Sequence, residues 1–126
     1  MVQGVDTTLH VTIKEGKIEE FKRLVEDMSK AVEINEPGAK RYQFYLNDDE
    51  TQCVLNESYI NLEAIRAHVT GVAFLTIFPK IFNICKIDRF EVFVDMKERK
   101  LLKEFLMKAL EHMGALNYHF LAGFSR

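Results

Sequence analysis

The sequence predicts a single α+β domain over residues 1–126, with helices packed on one face of a sheet. Three observations support this fold class. A chain of 126 residues has the length of one domain. Hydrophobic residues make up 48% of the chain and charged residues 29%, as in ordinary globular domains. Segments with a period of two alternate with segments at helical spacing, so strands and helices follow one another along the chain.

The first two elements are a strand and a helix. Leu9, Val11 and Ile13 alternate with polar residues, which is the pattern of a half-buried strand. Apolar residues then fall at helical spacing over residues 17–33, and charged residues fill the opposite face. The cluster Glu36-Pro37-Gly38 ends this helix, because proline lacks an amide donor and disfavours helical backbone in the preceding residue.

Alternating side chains over residues 40–46 predict a strand with two distinct faces. One face carries Tyr42, Phe44 and Leu46, and the other carries Arg41, Gln43 and Tyr45. Residues 47–50 are rich in side chains that hydrogen-bond the nearby backbone in turns. Residues 52–59 are therefore expected to fold back as the partner strand of a hairpin.

The second half of the chain begins with a short helix over residues 62–70, with Asn61 as its N-cap. An irregular helical segment follows, whose apolar residues and proline are Phe74, Phe78, Ile81, Phe82, Cys85 and Pro79. Alternation predicts a strand over residues 89–94, and helical spacing predicts a helix over 98–112. A final strand is expected over 116–124.

The predicted order is β-α-β-β-α-β followed by an extra α-β unit, which is the split βαβ arrangement of a ferredoxin-like sandwich. Helices on one face leave the other face of the sheet open. We expect a second copy of the chain to cover it in a homodimer, since that face also carries apolar residues. The predicted interface residues are Arg41, Tyr45, Val54 and Phe93, and aromatic and arginine side chains are common in interfaces.

Composition excludes several classes of partner. The formal net charge is −2 without a basic block, which disfavours nucleic acid. The longest apolar stretch, residues 72–87, is interrupted by polar residues and is shorter than the roughly 20 residues of a membrane-spanning helix. Residues 1–8 lack the pattern of a secretory signal, and Cys53 and Cys85 lie in apolar stretches, as thiols of a reducing compartment do. A cytoplasmic location is expected.

Cofactor and metal signatures do not occur in the sequence. No Gly-rich phosphate loop joins a strand to a helix, and no cluster of His, Cys and carboxylate residues has the spacing of metal ligands. The sequence therefore predicts neither a bound cofactor nor a metal.

Several short motifs resemble the antibiotic biosynthesis monooxygenase family of dimeric α+β barrels. They are Glu36-Pro37-Gly38, Arg41 to Leu46, Glu57-Ser58-Tyr59, Ala67-His68-Val69 and the closing Ala122 to Arg126, which is similar to the tail of a bacterial subgroup. The resemblance spans about residues 8–126. It implies two protomers that press their sheets together, each with a pocket between its own sheet and helices.

The same resemblance implies an activity. The family includes oxygenases that act on hydroquinones and polycyclic aromatics without a cofactor, and a branch that degrades haem. That branch places a tryptophan against the haem, and this sequence contains no tryptophan. Haem degradation is therefore disfavoured, and oxidation of an aromatic substrate by dioxygen is the implied reaction.

Two residues are candidates for proton transfer. The imidazole of His68, on the pocket side of the second helix, could accept a phenolic proton near neutral pH, or it could be a structural histidine fixed by a hydrogen bond. Glu57 shares a strand face with Leu55 and Tyr59, so it is expected to point inward and to need a partner. A contact between Glu57 and His68 would either orient a general base or simply tie strand to helix.

The candidates for lining a substrate pocket are aromatic residues: two tyrosines, Tyr42 and Tyr59, and three phenylalanines. The hydroxyl of Tyr42 could reach the pocket, or its ring could be plain core. Phe74, Phe78 and Phe82 form a stripe that suits either a core or a planar aromatic guest. The sequence thus supports two functions: a cofactor-independent monooxygenase of a small aromatic or quinol-like substrate, or a non-catalytic dimeric module that binds a small apolar metabolite.

Overall fold

The computed structural model describes residues 4–94, 104 and 113–126 of the chain. Its elements in chain order are β1 (Val5–Ile13), α1 (Ile18–Asn35), β2 (Ala39–Leu46), β3 (Gln52–Tyr59), α2 (Leu62–Val69), α3 (Val72–Thr76), α4 (Phe78–Asn83), β4 (Cys85–Val94) and β5 (Ala115–His119). The predicted helix over 98–112 lies almost wholly outside the described residues.

The five strands form one sheet in the order β2-β3-β1-β4-β5. Central β1 pairs antiparallel with β3 on one side and with β4 on the other, and β2 pairs antiparallel with β3. Helices α1 and α2 connect these strands as in a split βαβ unit. The predicted ferredoxin-like α+β fold class is therefore confirmed.

β5 extends the sheet beyond the ferredoxin-like core and runs parallel to the second half of β4. The strand ends at His119, so the prediction of a strand over 116–124 was too long. Leu121 and Phe124 are exposed, and Gly123 has a φ of 133°, a left-handed backbone conformation that interrupts an extended strand.

β4 is longer than the sequence indicates. It begins at Cys85, opposite Ile13, rather than at Arg89. A register shift opposite His10 and Val11 inserts an extra residue into β4, and such a bulge moves the buried positions from odd to even numbers. The period of two is broken there, which is why Cys85 was wrongly placed in the helical segment.

The irregular helical segment resolves into α3 and α4. Pro79 lies in the first turn of α4, where its missing amide costs no helical hydrogen bond. Ile77 separates the two helices, and its amide still donates to the carbonyl of Ala73. The proline therefore begins a new turn.

The helices among the described residues bury one face of the sheet, and Tyr45 and Phe93 on the other face are exposed. The core lies between that face and the apolar sides of the helices, which for α1 are Phe21, Met28 and Val32. Cys53 and Cys85 are buried, free thiols in this core, and burial raises the pKa of each to about 11. Among the described residues, no helix is both long and apolar enough to cross a membrane.

Candidate functional site

A row of polar side chains crosses the buried face of the sheet. Tyr42 on β2, Glu57 on β3 and Thr7 on β1 are direct neighbours across the strands. The adjacent row on the same face is apolar and consists of Phe44, Leu55, Leu9 and Phe90. Because buried polar groups cost free energy unless they are hydrogen-bonded, each member of the polar row needs a partner.

Glu57 satisfies both of its carboxylate oxygens inside the core. Thr7 donates its hydroxyl to Oε2 of Glu57 at 2.5 Å, and Tyr59 donates its hydroxyl to Oε1 at 2.6 Å. These lengths are typical of hydroxyls that donate to a carboxylate. Glu57 therefore points inward and is fixed from two strands.

His68 reaches this row from α2. The side chain of Asn61 caps the helix, and His68 lies with Ile65 on its buried face. Nδ1 of His68 is 2.7 Å from Oε1 of Glu36, and Nε2 is 3.6 Å from Oε1 of Glu57. The imidazole thus lies between two carboxylates, one at the end of α1 and one on β3.

Glu36 occupies the C-cap of α1, and its side chain is only 8% exposed. The helix dipole opposes negative charge at this end, and the last turn of α1 contains no basic residue. The bond to His68 offsets this unfavourable placement. Gly71 lies next to this pair, and a Cβ there would stand only 2.9 Å from the carbonyl oxygen of Ala67.

The two carboxylates determine how His68 uses its nitrogens. Nδ1 donates its proton to Glu36, because a carboxylate can only accept. Nε2 lies 3.6 Å from Glu57, longer than an ordinary hydrogen bond. Nε2 is consequently the nitrogen available to exchange a proton with a bound molecule, while Glu36 fixes the tautomer and the orientation of the ring.

Aromatic rings surround the imidazole. The ring centroids of Tyr42, Tyr59 and Phe74 lie 5.3, 5.4 and 5.5 Å from it. Phe74 stacks on Phe78 at 4.8 Å, and Phe78 meets Phe82 edge-on at 4.1 Å. All five aromatic residues predicted for the pocket therefore form one continuous cluster, with Phe82 at its outer end.

The two buried tyrosines keep their protons. Burial raises the pKa of Tyr42 and Tyr59 well above the ordinary value of 10.0, and the nearby Glu57 carboxylate raises both further. Both phenols are therefore neutral hydrogen-bond donors at physiological pH.

A small cavity lies beside this cluster, with Thr7, Glu57 and His68 in its wall. The rest of the wall is apolar and consists of Leu9, Ile65, Val69, Phe74, Phe78, Phe90 and Met113. Its volume is about 20 Å³, which is room for about one water molecule. The larger hollows described, of about 460 to 610 Å³, are lined by residues other than His68. The cavity beside His68 is therefore smaller than an aromatic ligand.

Sequence reasoning did not find two members of the cluster, Glu36 and Thr7. The sequence indicates Glu36 only as part of a helix-ending turn. An acidic residue at the C-terminal end of a helix, where a cation is favoured, is nevertheless a usable signal. Thr7 could not be found, because the predicted first strand began two residues later and its partner Glu57 is 50 positions away.

The four predicted interface residues lie on the opposite, open face. Tyr45 is 54% exposed and Phe93 is 38% exposed, and the ring of Phe93 stacks on that of Tyr118 at 5.3 Å. Val54 is half-buried beside Tyr45, and Arg41 donates to the side chain of a neighbouring asparagine. These residues are separated from His68 by the thickness of the sheet.

Metal-ligating side chains do not converge in the described part of the chain. No group of three or more His, Cys, Asp or Glu residues there is arranged to hold a metal ion.

Residues 8–80 match the family of antibiotic biosynthesis monooxygenases. No curated protein matches the chain. Among solved structures, MupZ from Pseudomonas fluorescens is similar, with a TM-score of 0.84 and 23% identity over 98% of this chain and 95% of that chain. SnoaB, a cofactor-independent oxygenase from Streptomyces nogalater, has a TM-score of 0.63 and 17% identity over 72% of this chain and 91% of that chain.

A conserved protein from Methanosarcina mazei Go1 is similar to the same extent as SnoaB, with a TM-score of 0.62 and 18% identity over 72% of this chain and 89% of that chain. At these identities the likenesses show the fold. The likeness to MupZ extends over 98% of this chain and so includes β5, which follows the ferredoxin-like core.

Proposed function

The chain belongs to the antibiotic biosynthesis monooxygenase family, and from this membership and the Glu36–His68–Glu57 cluster we propose that it is a monooxygenase that needs no bound cofactor. The family and the similarity to SnoaB support a monooxygenase-type function. The aromatic cluster around His68 supports a small aromatic, quinol-like substrate, and dioxygen is the oxidant. The single observation that carries the proposal is a buried imidazole whose Nδ1 is held by a carboxylate at 2.7 Å.

The reaction begins with proton transfer to His68. Nε2 takes the proton of a phenolic hydroxyl on the substrate, and the imidazolium that forms is stabilised by Glu36 at Nδ1. The surrounding Phe residues exclude water, so the two carboxylates rather than solvent compensate the new positive charge. The substrate is left as an electron-rich phenolate.

The phenolate then reduces dioxygen. One electron passes to dioxygen, and the superoxide and substrate radical combine to form a peroxide at a ring carbon that carries hydrogen. His68 returns its proton to the peroxide, which loses water as the carbon becomes a carbonyl. One oxygen atom thus enters the substrate, and the other leaves as water with two hydrogens from the substrate.

Substrate entry requires the wall of the cavity to open. Phe74 and Phe78 lie on α3 and α4, helices of five and six residues. Helices this short contain few hydrogen bonds of their own, so they are the parts of the wall that move at the least cost. The exposed outer side of α3, with Val72 and Leu75, adds little packing to hold it in place.

Oxygen uptake by the metal-free purified protein, measured over a panel of hydroquinones and anthrones, tests the proposal. Replacing His68→Ala should lower the turnover by a factor of about 10² to 10⁴, the usual contribution of a positioned general base. His10→Ala, on the open face of the sheet, is the matched control and should keep its turnover. Unchanged turnover with a lowered melting temperature would make His68 structural and would favour the module that binds a small apolar metabolite.

A redox-neutral proton transfer is a second candidate, and one observation favours it. The cluster contains both a base, Nε2 of His68, and a neutral acid whose hydroxyl is unpartnered, the phenol of Tyr42, so it could move a proton between two atoms of a substrate without an oxidant. Exchange of substrate hydrogens with D₂O under argon distinguishes the two reactions. Exchange that requires His68, without oxygen uptake in air, would replace the monooxygenase by this candidate.

The open face of the sheet supports a homodimer as part of the proposed function. Proteins of this family are typically dimeric, and Tyr45, Val54 and Phe93 provide the apolar part of the face. Val54→Glu should shift light scattering from twice the chain mass of 14.7 kDa toward the monomer, whereas Val72→Glu on the exposed side of α3 should not. A monomeric unmodified chain at micromolar concentration contradicts the dimer.

The two buried, free cysteines support a reducing, cytoplasmic location.

A further inference from the structure

The hydroxyl of Tyr42 is buried and has no hydrogen-bond partner among the described residues. The ring of Tyr42, in contrast, has packing partners. It packs edge-on against Phe44 with centroids 5.4 Å apart, and it is tilted against the imidazole of His68 with centroids 5.3 Å apart. The ring is therefore accounted for by packing, and the hydroxyl is not. Phenylalanine at this position would keep both ring contacts and lose only the hydroxyl.

An unpartnered hydroxyl lowers the stability of a folded protein. The great majority of buried polar atoms are hydrogen-bonded, so each exception calls for a physical explanation. The hydroxyl of Tyr59, one strand away, is bonded to Glu57 at 2.6 Å, which shows that this cluster can satisfy a phenol. Tyr42 lies directly opposite Glu57 in the sheet and still does not bond to it.

The hydroxyl of Tyr42 is suited to donate to an oxygen that carries negative charge. Burial, and then the carboxylates of Glu57 and Glu36, raise the pKa of Tyr42 well above 10.0, so it remains protonated. A neutral donor held in a water-excluded site stabilises a developing oxyanion strongly, because it is already oriented and little solvent competes. Thr7 and Tyr59 are committed to Glu57 and cannot serve this purpose.

We propose that the Tyr42 hydroxyl donates a hydrogen bond to the substrate oxygen from which His68 removes a proton. The inference rests on the proposed function. It requires a substrate that is a phenol or an enol, because the oxygen of these groups becomes an anion when the proton leaves. The proton passes from the substrate oxygen to Nε2 of His68, Tyr42 keeps its own proton, and the new O–H···O⁻ bond holds the oxyanion. The ring centroids of Tyr42 and His68 lie 5.3 Å apart, so the phenol lies beside the imidazole that the substrate would contact.

Tyr42→Phe tests this role, with Tyr45→Phe on the open face of the same strand as the matched control. Tyr42→Phe should lower kcat by about 10² to 10³ in the oxygen-uptake assay, the cost of removing one preorganised oxyanion donor. It should leave the melting temperature of the empty protein unchanged or raise it by a few degrees, because an unpartnered hydroxyl is removed. Tyr45→Phe, which removes a hydroxyl on the opposite face of the sheet, should leave kcat unchanged. A lowered melting temperature, or an undiminished kcat, overturns the proposal.

Binding of p-nitrophenol separates this inference from the proposed function. The unmodified protein should bind it as the phenolate, seen as increased absorbance near 400 nm below the pKa of the free phenol, and Tyr42→Phe should weaken that binding by about tenfold or more. Absence of binding, or equal binding by both proteins, overturns the inference. Tyr42-dependent binding without oxygen uptake on any substrate of the panel supports the phenolate site and contradicts the monooxygenase.

Discussion

Replacing Glu36→Gln tests the part of the cluster that the sequence did not reveal. The substitution keeps the size of the side chain and removes its charge, at a position where Oε1 lies 2.7 Å from Nδ1 of His68. The side chains of His68 and Glu36 are 4% and 8% exposed, so solvent screens their interaction little. The change therefore isolates the contribution of the carboxylate to a buried hydrogen bond.

The expected loss of stability follows from two opposing effects. A hydrogen bond to a charged group contributes about 1.5 to 3 kcal/mol, although the glutamine oxygen can still accept a weaker bond from Nδ1. Removing negative charge from the C-terminal end of α1 regains about 0.3 to 1 kcal/mol. The net destabilisation of Glu36→Gln is then about 1 to 2 kcal/mol, or roughly 5 °C in melting temperature for a domain of this size.

Urea unfolding and oxygen uptake on the same preparation measure both consequences. Turnover should fall by about 10- to 100-fold. This loss is smaller than the one expected for His68→Ala, because Nε2 is still present and only the stabilisation of the imidazolium is weakened. Glu33→Gln, an exposed residue in the last turn of α1, is the matched control and relieves the same helix dipole. If the two variants have equal stability and equal turnover, the Glu36–His68 bond has neither of the roles assigned to it.

Two further predictions concern stability. The raised pKa values of Tyr42 and Tyr59 contribute stability that is complete below pH 10 and is lost as pH rises above 10, since the unfolded tyrosines ionise first. Urea unfolding between pH 8 and 11 should therefore show a shallower alkaline decline for Tyr42→Phe than for the unmodified chain, and parallel curves would contradict this. Gly38→Ala would place a Cβ 2.5 Å from that of Ala64, so we expect a destabilisation of about 1 to 3 kcal/mol. Adding Ala64→Gly should restore most of that loss, and a purely additive double variant would exclude the clash.

Local patterns predicted most of the fold because each depends on neighbouring residues. The strand faces of residues 40–46 and the position of Pro79 in the first turn of α4 follow from periodicity and backbone chemistry within a few positions. The bulge in β4 was not predictable in this way. It arises from pairing with β1, and beyond it the buried side chains lie at even instead of odd positions. The end of the last strand at His119 likewise does not follow from apolar content, because Leu121 and Phe124 are apolar and lie exposed beyond it.

The candidate site was predictable only where a single residue was anomalous for its own element. Glu57 was found because a carboxylate on the inner face of a strand breaks the alternating pattern, and His68 because an imidazole lay on the inner face of a helix. Thr7 looks ordinary in a strand, and the only local anomaly of Glu36 is its acidic charge at the C-terminal end of a helix. Their contacts with Glu57 and His68 appear only when positions 50 and 32 residues apart meet. Long-range pairing of this kind has no signature in one sequence.

The location of the unfavourable groups is itself an argument for function. An acidic residue at a helix C-terminus, a carboxylate on an apolar sheet face and an unpartnered phenol each lower stability, and all three surround His68. The open face also contains a charged group, in which Arg89 bonds Glu91 at 2.9 Å and Thr8 donates to the same carboxylate, but solvent reaches it and every member has a partner. The contribution to stability is therefore enough to explain the charged group on the open face. The unfavourable groups around His68 lower stability, so stability does not explain them. Proteins keep such local conflicts at functional sites, so the cluster around His68 is where catalytic activity should be sought.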